Sequence, residues 1–173
     1  MNAFLSVALK LSLEDFSPVY QKLSNTLVIG DDQQLITLSN LTNKVGGKLK
    51  SLFSFGVDSC VDNVISTLKQ EKSDVVVTVC LKSLTTVLKY NKLETISVQN
   101  YESLVSTLLS SWILEHPSLV PCLVQLAIST PEDSNWKHFH FQTLLQLRDE
   151  RPSVRKSWSR DFFGWSFVHP IFR

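Results

Sequence analysis

Apolar residues recur along this chain at the spacing of an α-helix, and no stretch alternates as a strand would. Val57, Cys60, Val61, Val64, Ile65 and Leu68 form one continuous stripe on a helix. Leu35, Leu38, Leu41, Val45, Leu49 and Leu52 predict a preceding helix with a similar stripe, broken or bent near Gly46-Gly47, and the two pair through a turn at Phe55-Gly56. Ser73-Asp74 is a capping signal for a helix carrying Val77, Cys80, Leu81, Leu84 and Leu88. The β-branched run Val75-Val76-Val77 resembles a strand locally, but the periodicity continues through Lys89 and decides for helix. Ser97 precedes the next helix, with Tyr101, Leu104, Val105, Leu108 and Trp112 on one face.

A third pair starts at Pro117 with Leu119, Val120, Leu123 and Leu126 inward. Its second helix runs from about Asp133 to Leu147 with Trp136, Phe139, Leu144 and Leu147 inward. The pairs, near 31–70, 74–114 and 117–147, repeat about every 40 residues, the spacing of HEAT and armadillo units, whose faces are buried only by stacking. Residues 1–29 read as a worn leading unit, with Pro18 at the start of a helix through Leu27.

The stretch from Leu147 to Lys156 is the most specific. Arg148-Asp149, Pro152 and Val154-Arg155 close one repeat helix and open the next. Pro152 suits a first helical turn, where its missing N–H would be unpaired anyway, and Asp149 lies three residues ahead, within reach of the free amides. Val154 is expected to point into the stack, and Arg155 along the exposed edge towards carboxylates of neighbouring turns. Asp149, Pro152, Val154 and Arg155 are therefore structural residues of the turn. The expected class is all-α, a HEAT/armadillo-like solenoid over 1–157 with an incomplete last repeat from 152.

Composition narrows the function. With 43% hydrophobic residues the chain can fill a core, and 17 Lys and Arg against 16 Asp and Glu leave a net charge of +1, too little for a global field holding nucleic acid. The longest nearly uncharged stretch, Ile96 to Leu114, is interrupted by Gln99, Asn100, Glu102 and several serines, so no membrane span is expected. Residues 3–9 are apolar but have no basic region before them and no small-residue cleavage site after, so no secretory signal is expected. Cys60, Cys80 and Cys122 are an odd number of thiols set widely apart inside apolar faces, and read as reduced core cysteines.

Candidate chemistry is sparse. His138 and His140 lie about 200° apart on a helix and cannot chelate one ion. Ser110-Ser111 and Ser129-Thr130 lack a histidine and an acid at triad spacing. Gly46-Gly47 lacks the strand and glycine pattern of a phosphate loop. No catalytic residue, cofactor or metal is expected. Interaction candidates are Trp136, as an exposed anchor or a filler between repeats, with Lys137 beside it, and Lys44, Lys48 and Lys50, on the polar side of one helix as RNA-phosphate contacts or a solvated face.

Leu11-Ser12, Phe16-Ser17-Pro18, Lys22-Leu23, Asn40-Leu41, Lys48 through Phe53 and Leu68-Lys69-Gln70 resemble the C-terminal region of the HEAT repeat-containing protein 1 family, the nucleolar U3 small nucleolar RNA-associated protein 10 family. More specifically, Leu119-Val120-Pro121-Cys122, Glu132-Asp133-Ser134, Trp136-Lys137, Phe141-Gln142, Leu144-Leu145 and Arg148-Asp149 with Pro152, Val154 and Arg155 follow that family's closing repeats in order, so the resemblance covers roughly residues 5–157. It implies a non-catalytic scaffold of the nucleolar small-subunit processome, serving pre-ribosomal RNA processing and ribosomal DNA transcription, with processome proteins and pre-ribosomal ribonucleoprotein as partners. Family members are many times longer, so the resemblance also implies a fragment, a partial gene product or an isoform. After Ser157 the pattern departs: Trp158, Phe162, Phe163, Trp165, Phe167 and Phe172 fill a tail over 158–173 that reads as a reading-frame or splice artefact, or as a cover folded over the last repeat. The rival readings are a generic HEAT adaptor for transport or signalling, marked by an exposed concave row of acidic and aromatic residues, and a helical enzyme, marked by a pocket of converging ionisable groups.

Overall fold

Because every strong stripe has the helical period, the described chain is helical throughout, with no strand among the described residues. The computed structural model describes residues 10–27, 32–70, 72–91, 98–110, 112–130, 133–156 and 158–159. The chain divides into two compact units, Met1–Asn91 and Lys92–Arg173, the division falling within the 74–114 stretch.

The first unit contains α1 (Leu13–Leu27), α2 (Asp32–Leu49), a 3-10 segment (Lys50–Gly56), α3 (Val57–Leu68) and α4 (Asp74–Tyr90). α1 starts at Ser12, whose Oγ accepts the Asp15 amide at 3.1 Å and donates to the Asp15 carboxylate at 2.6 Å. Pro18 therefore lies inside the helix rather than at its start. The single bond it removes belongs to the carbonyl of exposed Glu14, which water can satisfy. α2 runs unbroken through Gly46-Gly47, contrary to the expected break there, and stops instead at Lys50, a left-handed residue with φ 53°. That early stop throws Leu52 out to 58% exposure and brings Phe53 into the core in its place. Leu49 is half-buried.

The stripe of α3 is buried at every expected position, as is that of α4. Ser73 stands at the α4 N-cap with extended backbone but makes no side-chain capping bond. The end of α3 returns to the start of α2, where Lys72 pairs with Asp32 at 3.0 Å, so these two helices are antiparallel. α2 and α4 run side by side in the same direction: Ser39 meets Cys80, Asn43 accepts a bond from Thr86, and Gly46 lies against Val87. Phe16, Tyr20, Phe53 and Phe55 form an aromatic cluster, with Tyr20 edge-on to Phe53 at 5.0 Å and Phe53 to Phe55 at 5.1 Å.

The second unit contains α5 (Val98–Leu108), α6 (Leu119–Ser129), α7 (Asp133–Gln146) and helical residues 152–156. Ser97, the expected start signal of α5, lies outside the described residues. Tyr101, Leu104, Val105 and Leu108 are buried as their spacing predicts, but α5 ends at Leu108. Trp112 is consequently in a turn and half-buried, while Leu109, Ile113 and Leu114 enter the core. α6 begins two residues after Pro117, behind a turn in which the Ser118 amide donates to His116 Nδ1 at 3.1 Å. Leu119, Leu123 and Leu126 are buried and Val120 is half-buried. On α7, Trp136 and Phe139 are inside with Asn135 and Thr143, whereas Leu144 and Leu147 are only half-buried. The helix ends at Gln146.

Candidate functional site

The turn after α7 is built from one carboxylate and two arginines. Asp149 Oδ1 accepts bonds from the Arg151 amide at 2.9 Å and from its Nε at 3.0 Å, and Oδ2 accepts from Nη2 at 3.1 Å. This grip from Arg151 holds the Asp149 carboxyl below the usual carboxylate range and pushes the Arg151 guanidinium up. Arg155 Nη1 donates to the carbonyls of Asp149 at 2.7 Å and Glu150 at 2.8 Å. Arg155 thus ties down carbonyls of its own turn, in place of the expected bridge to a neighbouring carboxylate. Asp149 serves the amide of Arg151, one residue ahead of the helical segment. Pro152 opens that segment and Val154 is fully buried. Ser153 donates to the Glu115 carboxylate, joining this turn to the one before α6.

Trp136 is not an exposed anchor: it is 4% exposed, packed on Phe139 at 5.7 Å and on His140 at 5.5 Å. Lys137 beside it is exposed. Lys44 and Lys48, four residues apart on α2, are both exposed. Lys50 does not share their helix: it follows α2, and its Nζ lies 6.0 Å from the Tyr90 ring centroid, with Lys89 at 5.6 Å from the same ring. His138 and His140 are both half-buried, and no group of three metal-ligating side chains occurs among the described residues.

Phe141 and Leu145, 59% and 43% exposed and four residues apart on α7, stand outside the expected inward stripe. Their signal was that they lie off the Trp136, Phe139 and Thr143 face. Cys60, Cys80 and Cys122 are buried thiols. Burial pushes the Cys80 thiol up, against the opposing pull of the Ser39 and Thr67 hydroxyls. No described helix is long and apolar enough to cross a membrane.

Four side-chain bonds join positions about 40 residues apart. Ser24 and Asn63 are 39 residues apart, Ser39 and Cys80 41, Asn43 and Thr86 43, Glu115 and Ser153 38. Each joins corresponding positions one period apart, which defines an all-α helical-repeat protein. Over nine-tenths of its length the chain is similar to HEAT repeat-containing protein 1. It is 25% identical to the Homo sapiens protein and 26% to that of Macaca fascicularis over 90% of this chain, and 24% to that of Danio rerio over 91%. The chain spans 9% of the length of the human and Danio rerio relatives and 19% of the macaque one. No family model matches the chain, and no solved structure does.

Proposed function

We propose that this chain works as a segment of a non-catalytic scaffold in nucleolar small-subunit processome assembly, supporting pre-ribosomal RNA processing and ribosomal DNA transcription. The observation that carries the scaffold part is the recurrence of side-chain bonds between positions 38 to 43 residues apart, because a repeat array offers extended surface. The similarity to HEAT repeat-containing protein 1 supports the same part. The nucleolar part rests on the family resemblance, which implies processome proteins and pre-ribosomal ribonucleoprotein as partners. Lys137, Phe141 and Leu145 on α7, and Lys44 and Lys48 on α2, are exposed side chains available for such contacts.

The test is recovery of the tagged chain from cells, with and without residues 158–173, alongside microscopy of its location. Nucleolar signal with co-recovered processome proteins and pre-ribosomal RNA is the expected result. Recovery of transport or signalling proteins alone would leave the repeat scaffold standing and remove the nucleolar assignment.

A further inference from the structure

Between α2, α3 and α4 the first unit holds a small, partly open cavity of about 10 Å³, lined by Leu35, Leu38, Val64 and Cys60 together with Ser39, Thr42, Asn63, Thr67, Cys80 and Ser83. Thr67 is the anomaly. Other threonines and serines in these helices find a partner, either a carbonyl three or four residues earlier, as Thr85 does in Leu81 at 2.7 Å, or another side chain, as Ser39 does in Cys80 and Thr42 in Tyr20. Thr67, 2% exposed, makes no such bond, and its Oγ1 has no hydrogen-bond partner in the protein. The carbonyl it would use, that of Asn63, takes the Ser66 hydroxyl at 3.1 Å instead. The Thr67 hydroxyl pulls the Cys80 thiol down without making a bond of normal geometry to it, so the two groups lie close across the cavity.

We propose that this cavity is a binding site for one ordered water molecule, which bridges the Thr67 hydroxyl to the polar groups of α2 and α4. Its volume is at the size that admits a single water, and a water needs two to four polar partners. Acceptor capacity is present around it. Ser39 bonds Cys80 at 3.6 Å and Ser83 donates to the Cys80 carbonyl at 2.8 Å, and each hydroxyl oxygen carries a further lone pair. Asn63 uses its Nδ2 on Ser24 at 2.9 Å and presents an amide oxygen as well. The water would give the buried Thr67 hydroxyl a hydrogen bond of normal geometry.

The sign of one isosteric substitution tests this. With a bound water, Thr67→Val strips the water of a partner, so the variant should melt below wild type while Thr67→Ser stays near it. In a dry cavity the same change replaces a stranded hydroxyl by a methyl group, and the variant should melt at or above wild type, which overturns the proposal. A high-resolution crystal structure of the 173-residue chain supplies the second readout, which stands even where a variant does not fold. Water density in the cavity supports the site, and an empty cavity sinks it.

Discussion

Asn63 donates its side-chain amide to the hydroxyl of Ser24 at 2.9 Å, joining α3 to α1 across 39 residues of sequence. Ser24 is 1% exposed, so this bond holds one repeat position to the next away from bulk water. Ser24→Ala removes the acceptor and strands half of the Asn63 amide, at a cost of about 1 kcal/mol. Urea unfolding should show a lower midpoint with an unchanged slope, since the surface exposed on unfolding hardly changes. An unchanged midpoint would mean that the bond contributes nothing net to the seam.

Much of the fold was legible because α3 and α4 carry unbroken apolar stripes, and every residue of those stripes is buried. Helix ends were less so. α2 ends at Lys50, a residue with no stop signal, and α5 ends before Trp112 with no glycine or proline to mark it. Gly46-Gly47 looks like a stop, yet it stays helical because Thr86 and Val87 of α4 pack against it, a long-range fact absent from local sequence. At the turn after α7, Val154 and Pro152 were placed by pattern alone, whereas the grip of Arg151 on Asp149 and the carbonyl contacts of Arg155 depend on side-chain reach. The small hydroxyls Ser39, Thr42, Thr67 and Ser83 are buried without altering any apolar stripe, so the cavity they line left no trace in the periodicity.

Two glycines of the first unit should respond oppositely to alanine. A Cβ on Gly47 would meet Thr86 Cγ2 at 3.7 Å, ordinary contact, so Gly47→Ala should stabilise α2 by about 0.5–1 kcal/mol through chain entropy. A Cβ on Gly56 would come within 2.3 Å of the Phe53 ring, and that ring is fully buried between Tyr20 and Phe55. Gly56→Ala should therefore cost about 1–3 kcal/mol, as overpacking does. Thermal melts of the two variants should move to opposite sides of wild type.

The Asp149 turn should weaken in acid. Arg151 holds the folded-state pKa of Asp149 below its unfolded value, so the stabilisation is present above the usual carboxylate pKa and is lost as pH falls through the lowered one. Asp149→Asn should lower the melting temperature at pH 7, and the gap from wild type should close as pH falls below about 4. Arg155→Ala loses two carbonyl contacts and only a weaker, through-space pull on the Asp149 carboxylate, so most of its deficit should persist across the same range. Equal pH dependence in the two variants would contradict this division of labour.

At the alkaline end the controlling group in the second unit is Tyr101. Burial pushes its phenol up to about 12, against a smaller opposing effect from its bond to Thr130, whose hydroxyl is 3.0 Å away. The unfolded chain's phenol ionises near its ordinary value of about 10, so above that pH unfolding releases a proton that the folded state still holds. Stability is complete below about pH 10 and falls as pH rises towards 12, by an amount on the order of 2–3 kcal/mol if the whole shift is realised. Tyr101→Phe should flatten this fall at little cost near neutrality, because Thr130 keeps a partner in the Leu126 carbonyl at 2.7 Å. Tyr20 in the first unit is raised by burial as well, so the comparison is made in a Tyr20→Phe, Tyr90→Phe background, which leaves Tyr101 as the chain's one tyrosine, following tyrosinate absorbance and helical circular dichroism together. Ionisation and loss of helix should coincide when Tyr101 is present; ionisation of Tyr101 near 10 with the helices intact would show that its ring is open to water in solution.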